Sequence, residues 1–167
     1  MAEPQLRQNF SRENEALINK HINEQFEAFY LYTSASYYFD RHDVSLEGFR
    51  DYFLKIADSK YQSAKEFMSF QNQRGGRITL FDIRKPGQVD WKDGKEVMIN
   101  ALEMEKRLLD SLREMHKNAT SAEDAQMADF VAGGFISKQT AVIKETADCI
   151  TTLEKVKTSH GEWHVQH

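Results

Sequence analysis

The sequence predicts an all-α fold: an antiparallel four-helix bundle with one long crossover. Three observations carry the bundle. Apolar residues recur at spacings of three and four through four separate stretches. Only two prolines occur, Pro4 and Pro86, and both lie outside those stretches, so nothing breaks the helices from within. Two of the three connections are short and polar, and one is long and aperiodic.

The first helix is expected over 12–39. Ser11 is its N-cap, with Glu13 in the first turn. Ile18, Ile22, Phe26, Phe29, Tyr32, Ser36 and Phe39 form its stripe, with Gln25 among them. Residues 1–10 read as a loose arm. The polar turn Asp40-Arg41-His42-Asp43 sends the second helix, 46–73, back antiparallel. Its stripe is Phe49, Phe53, Ile56, Ala64 and Phe67, and Lys60 and Ser63 fall on the same face. Gly75-Gly76 ends it.

The connection 75–91 is an extended strap. Laid over a helix surface, it would cover its short apolar run, Ile78-Thr79-Leu80-Phe81. It reaches about 50 Å, against about 40 Å for the second helix, so it delivers the third helix parallel to the second. Asp93 caps that helix, 93–118, with Glu96 at capping-box spacing. Met98, Ala101, Leu108, Leu112 and Met115 are its stripe, and Glu105 falls on it. Thr120 and Ser121 form a turn. Ser121 and Asp124 start the fourth helix, 122–158, whose stripe is Phe135, Val142, Thr146, Ile150 and Leu153, with Gln139 among them. Gly133-Gly134 should weaken it by about 1 kcal/mol per glycine. The whole chain, 1–167, is a single domain.

Composition narrows function. The net charge is −4 with no basic block, which argues against nucleic acid. No apolar run reaches membrane-spanning length. The N-terminus lacks a signal-type apolar core, and the single cysteine suits a reducing compartment, so a cytoplasmic location is expected. Cys149 reads as a small buried residue.

Gln25, Lys60 with Ser63, Glu105 and Gln139 sit near the middle of the four helices, with Tyr32 two turns from Gln25. In an antiparallel bundle such positions meet at one level, so a shared polar site is expected. One carboxylate and one ammonium make an ion pair, whereas a metal site needs several carboxylates or histidines. A relocated site using Glu24, Glu27 or Glu103 beside Glu105 is the enzymatic alternative.

The chain resembles ferritins of the cytosolic animal type. The matching stretches are Ser36-Tyr37-Tyr38-Phe39-Asp40-Arg41, Gln71-Asn72-Gln73-Arg74-Gly75-Gly76-Arg77, Asp82-Ile83-Arg84-Lys85-Pro86, Trp91 and residues 112–117. The resemblance implies a hollow shell of twenty-four subunits storing iron as a ferric mineral, with no cofactor required for folding. Heavy-type ferritins oxidise iron at a dinuclear centre. Its first-helix glutamate matches Gln25, its second-helix Glu-x-x-His matches Lys60-Tyr61-Gln62-Ser63, and its third-helix glutamate matches Glu105. The supporting tyrosine and glutamine match Tyr32 and Gln139. Three ligand positions are thus replaced, as in the non-catalytic light-type subunit, and no ferroxidase activity is expected.

The inner-surface carboxylate patch of light-type subunits matches Lys55, Asp58, Ser59 and Gln62, of which only Asp58 is acidic. The three-fold pore keeps Asp129 and has Ala132 for its second acid. The chain is too short for the family's fifth helix. The leading expectation is a storage subunit working in a homo-oligomer or beside a heavy-type partner. The alternative is a structural or protective cage. His160, His164 and His167, at spacings of four and three, form a separate candidate for a transition metal.

Overall fold

The computed structural model describes residues 5–87 and 91–160, without the side chains of Leu153 and residues 156–160. Four helical rods make the bundle: α1 (Arg12–Phe39), α2 (Glu47–Gln73), α3 (Gly94–Ser121), and a fourth in two parts, α4 (Ala125–Val131) and α5 (Ser137–His160). A π-helical turn, Ala132–Ile136, joins those two parts. No strand occurs among the described residues.

Caps set the helix starts. Ser11 accepts from Asn14 N, and Asp93 accepts from Glu96 N. Glu96 reaches back to Lys92 N at 2.8 Å, one residue before the expected capping-box partner. α3 runs on to Ser121, so Thr120 and Ser121 are helical rather than a turn. The chain reverses at Glu123, where φ is 56°. Asp124 alone caps α4, through Met127 N. The fourth helix is not continuous over 122–158: the Gly133-Gly134 pair sits inside the π turn, where a wider coil replaces the α pitch.

The core falls into two apolar clusters. One holds Tyr38, Phe39, Val44, Phe53, Trp91, Met98 and Leu108. The other holds Phe10, Ile18, Phe67, Phe70, Leu112, Met115 and Met127. The start of α3 therefore lies by the end of α1 and the start of α2, and its end lies by the other ends. α3 is antiparallel to α1 and parallel to α2, as the strap's reach requires. On α2 the buried line is Phe53, Ala57, Lys60, Ala64, Phe67 and Phe70, while Phe49 and Ile56 are half-buried at its border.

The arm is not loose from residue 6 onward. Phe10 is buried, and Arg7 donates to Phe10 O at 2.7 Å and to Glu15 at 2.9 Å. The Gly75-Gly76 pair makes room for this arm. Gly75 has φ +80°, and a Cβ there would stand 2.9 Å from the Arg7 backbone. A Cβ on Gly76 would stand 2.4 Å from Gln71 Oε1 and 2.8 Å from the Phe10 ring. Gln71 donates to Glu15 O, and Arg74 pairs with Asp124 at 2.8 Å while also reaching Asn9 O.

Asn19 holds the strap by accepting from Thr79 N and donating to Arg77 O. The apolar run does not lie underneath: Leu80 is 67% exposed and Phe81 54%. Both border a groove with Ile22 and Phe26 of α1 without being covered by it. No helix among the described residues is long and apolar enough to cross a membrane.

Arg74 and Asp124 are both buried, so removing one leaves the other uncompensated. Asp124→Ala also removes the α4 cap. We expect a loss of about 3–5 kcal/mol in denaturant unfolding. A change inside the roughly 0.5 kcal/mol typical of surface substitutions would refute this role for the pair.

Candidate functional site

A polar belt separates the two apolar clusters at mid-bundle, and Glu105 is its centre. α3 places Glu105 on the line of Ala101, Leu108 and Leu112, so its carboxylate enters the core and is fully buried. A bare carboxylate there would be prohibitively costly. It is met from three helices. Tyr32 of α1 donates to Oε1 at 2.6 Å. Lys60 of α2 places Nζ 2.8 Å from Oε2. Gln139 of α5 donates to Oε2, and to the Glu105 backbone oxygen at 2.8 Å. Burial, followed by the charge of Glu105, pushes the Tyr32 phenol well above its ordinary range, so it stays a proton donor.

The other two expected members stand elsewhere. Ser63 is half-buried and outside the hydrogen-bonded set, because the buried line steps from Lys60 to Ala64. Gln25 is buried but turns toward its own helix, with Nε2 2.9 Å from His21 Nε2. Gln25 Oε1 has no hydrogen-bond partner. His21 Nδ1 stands 2.9 Å from Ser111 Oγ, and Ser111 donates to Glu24 Oε1 at 2.8 Å.

His21 and Ser111 are functional-site residues beyond those expected from the sequence. Their signal was spacing: His21 lies one turn before Gln25, and Ser111 one turn after Leu108. Burial and then the charge of Lys60 push the His21 ring down to about 3, so it is neutral at physiological pH. Burial pushes the Glu24 carboxyl up, partly offset by the Ser111 hydroxyl. Glu24 thus belongs to this second network, and neither Glu27 nor Glu103 joins Glu105. Glu27 accepts from Asn23 instead.

This donor set does not fit a dinuclear metal centre. The one central carboxylate already serves an ammonium, a phenol and an amide, and Lys60 holds positive charge where a cation would sit. Among the described residues, no three His, Cys, Asp or Glu side chains gather into a metal-binding group.

The peripheral candidates are separate. Asp58 is exposed on α2, Lys55, Ser59 and Gln62 are exposed too, and Ser59 bonds back to Ile56 O. Asp129 is exposed on α4, and Ala132 opens the π turn. His160 ends α5 with its side chain outside the described residues, and His164 and His167 lie outside them altogether. Cys149 is half-buried rather than buried. It lines an open groove between α2 and α5 with Phe49, Tyr52 and Glu145.

Comparison with known proteins gives two likenesses. The family model for the ferritin-like domain matches residues 15–156. Soma ferritin of Lymnaea stagnalis is 45% identical over 163 residues, covering 98% of this chain and 94% of that protein.

Two measurements test the belt. Lys60→Met should cost about 3–5 kcal/mol in unfolding, and the double change Lys60→Met, Glu105→Leu should recover much of it, since both charges are then gone. The second concerns acid. The unfolded chain protonates His21 near 6.5 and the folded chain only near 3. The stability from this group is therefore complete above the unfolded value and is lost as pH falls toward the folded one. The whole span is up to about 5 kcal/mol, and His21→Gln should flatten that part of the stability–pH curve.

Proposed function

The chain belongs to the ferritin family, and on that premise we propose that it is an iron-storing shell subunit without an oxidation centre of its own. Iron is its cargo and is expected inside the shell as a ferric mineral. The Lys60–Glu105 pair carries this reading: an ammonium 2.8 Å from the one central carboxylate neutralises the site that would otherwise attract ferrous ions. Gln25 supports it, because its amide is engaged with His21. Oxidation then has to come from a heavy-type subunit in the same shell.

We take the shell to be a closed assembly of twenty-four copies, or a mixture with that partner, in the cytoplasm. The exposed Leu80, Phe81, Tyr30 and Tyr37 support assembly, since they offer apolar surface on the outside of the single chain. A protective cage without storage is the second reading. It is favoured by the thin inner and pore acids, with Asp58 beside Lys55 and Gln62, and Asp129 beside Ala132. Iron retained by shells mixed with an active heavy-type subunit, compared with shells of that subunit alone, separates the two.

The unmodified protein should oxidise ferrous iron no faster than buffer. The triple variant Gln25→Glu, Lys60→Glu, Ser63→His should gain iron binding and measurable oxidation in stopped-flow assays. Gln25→Glu alone should not, because Lys60 still repels the ion. Lys60→Glu alone should lower the melting temperature by crowding two carboxylates, and added divalent metal should restore it. Fast oxidation by the unmodified chain would overturn the proposal.

A further inference from the structure

Of the chain's six tyrosines, two donate a hydrogen bond to a carboxylate among the described residues, both at 2.6 Å: Tyr32 to Glu105 and Tyr52 to Glu145. The same contact has opposite consequences at the two places. A phenol that loses an electron becomes a strong acid, so its oxidation needs a base that can take the proton in the same step. Glu105 is a poor recipient. It is buried beneath Lys60 and Gln139, and protonating it would strand the Lys60 ammonium without its counter-charge.

Glu145 has no such obligation. It is exposed on α5, and its neighbours Lys144 and Asp148 pair with each other at 2.7 Å. From α2 it meets Tyr52, and Phe49 shares its groove. Tyr52 is half-buried, in a groove of about 320 Å3 that also borders Met98 and Cys149. Small solutes can therefore approach it. Burial and then Glu145 keep its phenol protonated far above its ordinary range, so electron loss must be accompanied by proton loss. The Phe53 ring lies 5.5 Å from Tyr52 and 5.8 Å from Tyr32, linking the two tyrosines through aromatic contacts.

We propose that Tyr52 and Glu145 form a one-electron oxidation site, at which small radical oxidants entering the α2–α5 groove are quenched. The oxidant gains one electron from Tyr52. The phenol O–H bond breaks, its proton passes to Glu145 Oε1, and the products are a neutral tyrosyl radical, a carboxylic acid and the reduced oxidant. The central Tyr32 stays reduced because Lys60 blocks its proton acceptor.

The test uses the full-length assembled protein with Cys149→Ser as background, so that no neighbouring thiol consumes the radical. A photo-generated ruthenium(III) polypyridyl complex supplies the oxidising equivalent, and tyrosyl radical is read by freeze-quench electron paramagnetic resonance. Glu145→Gln keeps an acceptor oxygen but removes the base, and should slow radical formation at this site roughly tenfold or more. Tyr52→Phe should remove the same signal, while Tyr37→Phe, at an exposed tyrosine, should leave it in place. Equal spectra and rates in the Tyr52→Phe and parent proteins would overturn the proposal. So would an unchanged rate in Glu145→Gln, which would mean that solvent rather than Glu145 takes the proton.

Discussion

The bundle depends on how one buried carboxylate is neutralised. Glu105 is fully buried, and its partners come one each from α1, α2 and α5. No pair of helices could satisfy it alone. Because hydrogen bonds are directional where apolar packing is not, this node specifies the helices' relative height in a way that the two flanking clusters could not. The same node sets the chemical character of the centre. Where charge is already balanced within the protein, nothing favours an incoming cation, so the proposal that iron is oxidised elsewhere rests on the same balance that holds the helices.

A second constraint works at the far end of α2. Gln71, Arg74, Gly75 and Gly76 act as one unit: the amide ties down the α1 backbone, the guanidinium grips the arm and Asp124, and the two glycines let the arm pass at van der Waals distance. This explains why so short a sequence segment is so distinctive. Each residue meets a requirement imposed by a different part of the chain, so few substitutions would satisfy all of them.

Much of this was legible in the sequence, and the failures have physical reasons. The first helix and its Ser11 cap follow from periodicity and local hydrogen bonding, both of which are short-range. Glu105, Lys60 and Gln139 could be placed together because each interrupts an apolar stripe, and Tyr32 joined them as the stripe residue two turns from Gln25. Ser63 could not be told from Lys60 by spacing alone, since residues three and four apart share a face and only packing decides which is inside. Gln25 was drawn to His21, a neighbour on its own helix, which a search for cross-bundle convergence does not consider. The strap's apolar residues suggested burial against its own helices, but Leu80 and Phe81 only border a groove on α1 and stay mostly exposed. Hydrophobicity alone does not say against what a residue is buried.

The π turn at Ala132–Ile136 has a consequence for how this helix tolerates changes in length. Val131 and Gln139 are both buried, although they are eight residues apart. In a straight α-helix that interval overshoots two full turns by about 80°. The wider coil absorbs the excess, and so brings Gln139 back to the inner face in time to meet Glu105. The turn thus has the geometry of a one-residue insertion accommodated in place, with two glycines at which an added Cβ would meet nothing within 4 Å marking where the surplus is stored. Deleting one of them would leave seven steps in that interval, about 700° in a regular α-helix, so the coil would straighten with Gln139 still within about 20° of the inner face. At its present length, a regular last helix and a satisfied central carboxylate are alternatives, and the backbone has settled on the latter.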